Sequence, residues 1–285
     1  CEPTVINVTV GGVNDAAKAM TLTGNNTIEA VCPVCGTEEQ WKDLANIAPS
    51  SLRTDEHYYL SKDVQATTHY GIYANVCLHL NGHNITSSAR ALYVDATSTT
   101  LWTLNVMGEG VVTGAGQDHA TVPRGAVDIA GTVNFYGGTY VAPGTKNPAL
   151  TARGFNGRSI VNIYDDAEFV APNVSLLVNS QAVNMYGGKV TSGIVKLPGA
   201  SGSSFNVYGG TISNSNEGQN AIEAAGAKAA LNIAGGVITG KVSIASDQNA
   251  VTVSGTPTIS AIELTNGATL DVSGLQNVQP IKVTA

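Results

Sequence analysis

A short segment of the form apolar–Asn–apolar–Tyr–Gly–Gly–Thr recurs along the chain, and no other feature limits its fold so tightly. Clear copies begin at Leu104 (LNVMGEGV), Val133 (VNFYGGTY), Val161 (VNIYDDAEF), Val183 (VNMYGGKV), Phe205 (FNVYGGTI) and Leu231 (LNIAGGVI). Weaker ones begin at Leu78 (LHLNGHNIT), Val251 (VTVSGTPTI) and Leu270 (LDVSGLQNV). Successive starts lie 19 to 29 residues apart, the length of one turn of a β-solenoid. Within each copy the first and third positions are bulky and apolar, and the second and fourth are polar or aromatic. That is the period of two of a half-buried strand. The Gly-Gly pair supplies a corner, since glycine takes positive φ without a Cβ clash.

A second strand follows each corner (Thr139–Val141, Thr211–Ser213) and a third closes the turn (Ala126–Ile129, Ser175–Val178, Lys241–Ile244, Ala261–Leu264). The expectation is an all-β chain: a right-handed parallel β-helix with three-strand rungs, about nine or ten turns, and a rod on the order of 45 Å long. A β-sandwich also has short, regularly spaced strands, but it does not require one segment to recur in register. Helix is disfavoured past residue 55, where β-branched residues dominate and no i, i+3, i+4 pattern persists.

Residues 1–55 do not fit the repeat and read as an N-terminal cap or docking extension, with the solenoid at 56–285. Thr4–Val10 alternates as a strand, Asp15–Met20 suits one helical turn, and Glu38–Ala45 suits a short helix after a Cys-x-x-Cys turn. An end rung left uncovered exposes apolar interior and unpaired backbone to water.

The chain has four cysteines, Cys1, Cys32, Cys35 and Cys77. Cys32-Pro-Val-Cys35-Gly36 has the form of a zinc knuckle, with two thiolates on a glycine-closed turn. Cys1 and Cys77 are candidates to complete a structural zinc site, and His57, His69, His79 and His83 lie in the adjoining stretch. Disulfides are the alternative in an extracellular protein, and spacing alone does not choose a pairing. The CPVCG turn, Trp41, the run His57-Tyr-Tyr-Leu and the run Val76-Cys-Leu-His-Leu-Asn-Gly-His83 together resemble an entry module of large surface proteins from anaerobic Gram-positive bacteria. Those proteins carry pectate-lyase-like β-helix repeats. The resemblance covers roughly residues 30–285 and implies secretion and surface display; it brings no catalytic residues with it.

The net charge of −7 gives no support to nucleic-acid binding, and no apolar run is long enough to span a bilayer. A chain that begins at Cys1 reads as processed, excised or lipid-modified at that residue. Polysaccharide lyases and hydrolases share the expected fold, and the best acidic cluster is Asp165, Asp166 and Glu168, beside Arg153 and Arg158. The plainer reading has Asp165 and Asp166 replacing a Gly-Gly corner and pairing with those arginines. Two outward columns stand out. Asn105, Asn134, Asn162, Asn184, Asn206 and Asn232 share one slot and suit an amide ladder. Tyr136, Tyr164, Tyr186 and Tyr208 share another, where exposed rings would stack on the sugars of a polysaccharide or simply cover the sheet.

The expected role is therefore a non-catalytic, extracellular or cell-surface structural protein. It would join itself head to tail into a filament, with Thr4, Val5, Ile6, Val8 and Val10 meeting Ile281 and Val283 by strand addition. A carbohydrate-binding adhesin and a polysaccharide lyase or hydrolase are the alternatives.

Overall fold

The computed structural model describes residues 12–24, 27–97, 99–154, 159–164, 166–199, 203–215, 218–226, 228–276 and 279–285. The chain is a parallel β-helix. Each strand pairs with its equivalent one turn on, so three faces wrap a single interior. On the first face the stack runs from Glu38–Asp43 through Glu56–Tyr59, Val76–His79 and Thr103–Met107 to Ala250–Val253. Among the described residues it holds eleven strands, of which only Ile28–Val31 is antiparallel. The ten parallel members give ten turns, on the order of 45 Å at the spacing of paired strands. Val237–Ile244 and Thr258–Leu264 run unbroken round the corner between the second and third faces.

The repeat works because its apolar slots stack on themselves. Leu104, Val133, Val161, Val183, Phe205, Leu231 and Val251 are Cα partners in succession, and all are buried. Two residues on, Val106, Phe135, Ile163, Met185, Val207, Ile233 and Val253 form a second inward column. Each such side chain contributes about 1.5–3 kcal/mol by leaving water. Tyr140 and Phe169 come in from the second face to meet Phe135, with ring centroids 4.6–5.1 Å apart. The Tyr140 hydroxyl donates to the carbonyl of Gly137 at 2.8 Å, so its burial leaves no polar atom stranded.

The two corner glycines are needed for different reasons. The second takes the left-handed conformation, as at Gly210 with φ 81°. The first is needed for space: a Cβ on Gly209 would lie 2.3 Å from the Tyr186 carbonyl oxygen of the turn before.

The N-terminal segment folds along the outside of the first face. Helix α1 (Gly12–Lys18) lies against the glycine corner, where Asn14 Oδ1 accepts from the Gly108 amide at 2.8 Å. Strand β1 (Ile28–Val31) pairs antiparallel with β2 (Glu38–Asp43) and so occupies the open edge of the first parallel strand. Between them sits a second small core of Ala17, Leu22, Cys32, Trp41, Tyr59, Cys77 and Met107.

Two expectations change here. Glu38–Asp43 is a strand, followed by a 3-10 turn at Leu44–Asn46, because parallel pairing with Glu56–Tyr59 overrides the helix preference of its Glu and Lys residues. The parallel coil consequently begins near residue 38, inside the segment 1–55 set aside as cap. The helix expected near Asp15–Met20 is present as Gly12–Lys18.

Replacing Phe169 with Ala opens a cavity in the aromatic cluster and should lower stability by about 3–5 kcal/mol. Urea denaturation followed by circular dichroism measures it; a loss under about 1 kcal/mol would show that the cluster collapses around the gap.

Candidate metal centre

The Cys-x-x-Cys segment joins β1 to β2 as a tight turn. The Cys32 amide donates to the Thr37 carbonyl and the Gly36 amide to the Cys32 carbonyl, both at 2.8 Å. Gly36 closes the turn at φ 72°, and the Cys35 amide approaches Cys32 Sγ at 3.5 Å. Both sulfurs thereby face the first sheet. Two more donors come from that sheet: His57 and Cys77 are Cα partners on consecutive turns. The ligand atoms of Cys32, Cys35, His57 and Cys77 all lie within 4.8 Å of one another. Cys35 Sγ stands 3.4 Å from His57 Nε2. Three thiols and an imidazole so placed can hold a metal ion.

The surroundings organise the donors. Trp41 meets the His57 ring edge-on at 5.0 Å, and the Glu39 carboxylate lies 3.9 Å from His57 Nδ1. Cys32 and Cys77 are buried, His57 is half-buried and Cys35 is exposed. The Asn105 amide donates to Cys77 Sγ at 3.5 Å.

The thiols divide into one acid and two weak acids. A hydrogen bond from Cys77, helped by His57 and the turn amides, outweighs burial and brings Cys32 down to about 4. Burial and the neighbouring Cys32 charge push Cys35 up to about 11. Cys77 is held well above the ordinary thiol range by its hydrogen bond to Cys32, then by burial and its negative neighbours. A metal ion entering here meets one thiolate and must displace protons from the other two sulfurs.

Of the expected metal set, Cys32, Cys35 and Cys77 come together as free thiols, and Cys1 lies outside the described residues. The fourth donor among the described residues is His57. Of the other adjoining histidines, His79 bonds to the Ala17 carbonyl at 2.8 Å and pins the end of α1, while His83 lies 3.6 Å from Asp63. His69 packs edge-on against Tyr93.

The acidic cluster is described in part. Asp165 and Arg158 lie outside the described residues. Asp166 is held by the cap: Oδ2 accepts from Asn14 Nδ2 at 2.8 Å and from Lys18 Nζ at 3.1 Å. Arg153 is drawn to Asp128 at 2.7 Å, and Glu168 accepts from Thr191 at 3.1 Å.

Tyr136, Tyr164, Tyr186 and Tyr208 do form one column, with centroids 4.7, 5.4 and 5.1 Å apart and planes within 5–14°. Their faces are turned to one another, so the column presents ring edges and hydroxyls outward. Thr4, Val5, Ile6, Val8 and Val10 lie outside the described residues. Ile281 is half-buried and Val283 exposed, at the last strand, Lys282–Thr284. No protein family, curated protein or solved structure matches the chain.

His57 carried a signal that the sequence reading passed over. In the structure Val76, Cys77 and Leu78 align with Leu104, Asn105 and Val106, so the copy placed at Leu78 starts at Val76. That register puts Cys77, and His57 one turn earlier, in the asparagine slot.

Titration with zinc should saturate at about one equivalent, and Cys32→Ser or Cys77→Ser should abolish stoichiometric uptake, since each removes one of four ligands. Cys1→Ser should bind like the parent chain. With Cys35 and Cys77 both raised, loading near neutral pH should release about two protons, and affinity should fall as pH falls. Calorimetry in buffers of different ionisation enthalpy counts them; zero protons would mean that these sulfurs do not ligate.

Proposed function

We propose that the chain is a non-catalytic structural rod in which zinc clamps the N-terminal segment to the coil. The observation that carries this is the source of the donors: two from the cap turn and one from each of two consecutive turns of the first face. A soft, thiolate-rich set with one imidazole suits zinc. Four protein donors also close the coordination sphere, as in structural sites, whereas catalytic zinc keeps a position for water or substrate. The one described carboxylate of the Asp165–Asp166 corner is occupied in holding α1, which supports a stabilising role over a hydrolytic one.

Extracellular display and end-to-end assembly belong to the same proposal. The strand Lys282–Thr284 pairs on one side with residues 261–263, and Val283 is half exposed. In this proposal a strand of a second copy lies beside it. Val283→Lys should then leave the fold intact and reduce any self-association seen by sedimentation at high concentration. A parent chain that stays monomeric there sinks the assembly part. A polysaccharide role is less well supported, because the stacked tyrosines leave few open ring faces for sugars.

The clamp is tested by chelation. Stripping the metal should lower the melting temperature and change Trp41 fluorescence as the small outer core loosens, while far-ultraviolet dichroism keeps its strand signal. Identical melting with and without chelator would overturn the proposal, as would an exchangeable water or exogenous thiol on the bound metal.

A further inference from the structure

The outward slot that supplies His57 and Cys77 continues up the first face as Asn105, Asn134, Asn162, Asn184, Asn206 and Asn232. Their side chains form one directed chain. Asn232 Nδ2 donates to Asn206 Oδ1 at 2.7 Å, Asn206 to Asn184 at 2.8 Å, and Asn184 to Asn162 at 2.9 Å. Asn162 then donates to Asn134 at 2.8 Å, and Asn134 to Asn105 at 2.7 Å. The last donor, Asn105 Nδ2, has no amide below it and gives its hydrogen to Cys77 Sγ at 3.5 Å.

We infer that this ladder is a support for the metal centre, with Asn105 the positioning residue for the Cys77 ligand. The inference rests on reading Cys32, Cys35, His57 and Cys77 as a metal site. The direction of the ladder is the argument. A column running either way ties the strands together with the same number of side-chain bonds, and the two directions differ in the atom that they present to Cys77. Run the other way, it would set the Asn105 carbonyl oxygen against the sulfur, which a metal-bound thiolate repels. As it runs, each Oδ1 from Asn105 to Asn206 is held by the amide above, and only an N–H remains to face Cys77. Such a donor draws charge from a ligating sulfur and fixes its orientation, and outer partners of this kind commonly matter by about 10–100-fold in metal affinity. Hydrogen-bonded amides polarise their neighbours by roughly 10–30% per bond, so the influence fades with distance along the column.

Three valine variants separate this from a purely structural ladder. Valine removes the amide, and the slot accepts a β-branched residue, since its next member after Asn232 is Thr252. Asn105→Val should weaken zinc binding by about 10–100-fold and shift the sulfur-to-metal charge-transfer band of the cobalt-loaded protein to lower energy. Asn134→Val, which frees Asn105 to turn, should do the same to a smaller degree, and Asn232→Val should leave affinity within about twofold. If Asn105→Val fails to fold, Asn134→Val carries the test. Zinc binding by the parent chain with unchanged affinity and band in the folded variants would overturn the ladder's role and leave the metal centre standing. Equal losses of thermal stability in all three, without spectral change, would do the same. A parent chain that binds neither zinc nor cobalt would remove both readings.

Discussion

Parallel in-register pairing is the constraint on which the rest depends. Because each strand bonds to its equivalent one turn on, a slot occupied by one residue type becomes a column at the spacing of paired strands. Inward, this turns a Leu–Val–Phe slot into a continuous apolar wall. Outward, it aligns amides into a ladder and tyrosines into a stack, and it sets His57 directly against Cys77. Two ligands twenty residues apart in sequence thus need no dedicated loop. The pairing that builds the rod also builds half of the metal site.

The other half comes from chain that is not part of the repeat, and the glycine corners let it approach. A Cβ on Gly137 would lie 2.5 Å from Asn14 Oδ1, so α1 packs there only because the side chain is absent. Asn14 then bridges two turns, accepting from Gly108 and donating to Asp166. Asp166 stands where other copies have glycine, which turns a bare corner into an anchor for Lys18. That carboxylate is kept below its usual range by Asn14 first and Lys18 after. The cap is therefore held at two places of different chemistry, amide and ion-pair contacts at the helix and thiol–imidazole convergence at the hairpin.

The solenoid itself was legible because it is a period, and periods survive without any knowledge of partners. The inward columns, the corner glycines and both outward columns were all read from LNV, VNFYGG and their kin. What failed to show was register at the weak copies. A slip of two residues keeps every side chain on its proper face, so alternation could not tell Leu78 from Val76 as the start. That slip hid Cys77 and His57 from the asparagine slot. Glu38–Asp43 misled for a related reason: EEQWKD carries helix-forming residues, and its strand character comes from Trp41 packing beside His57, a contact between residues on different turns. The pairing of Arg153 with Asp128 likewise depends on which turns become neighbours, which local composition does not encode.

Asp128 shows what an outer slot demands on the third face. It lies on the third face between Tyr93 and Thr151 and is completely buried. An isolated carboxylate there would be very costly. Arg90 bonds to it from the preceding turn at 2.8 Å and Arg153 from the following one at 2.7 Å, with Arg124 at 3.8 Å. Arg90 and Arg153 also lie over the Tyr93 ring, 4.6 and 5.3 Å from its centre, which shelters part of their charge on an aromatic face. The guanidinium groups keep some contact with water while the carboxylate keeps none, so most of the desolvation falls on a single group. On the first face the outward slot is closed by thiols, an imidazole and amides under a folded cap. On the third it is closed by one acid and three long basic side chains that serve as their own cover. Both arrangements tie successive turns together from outside the apolar interior, adding side-chain bonds to the backbone pairing.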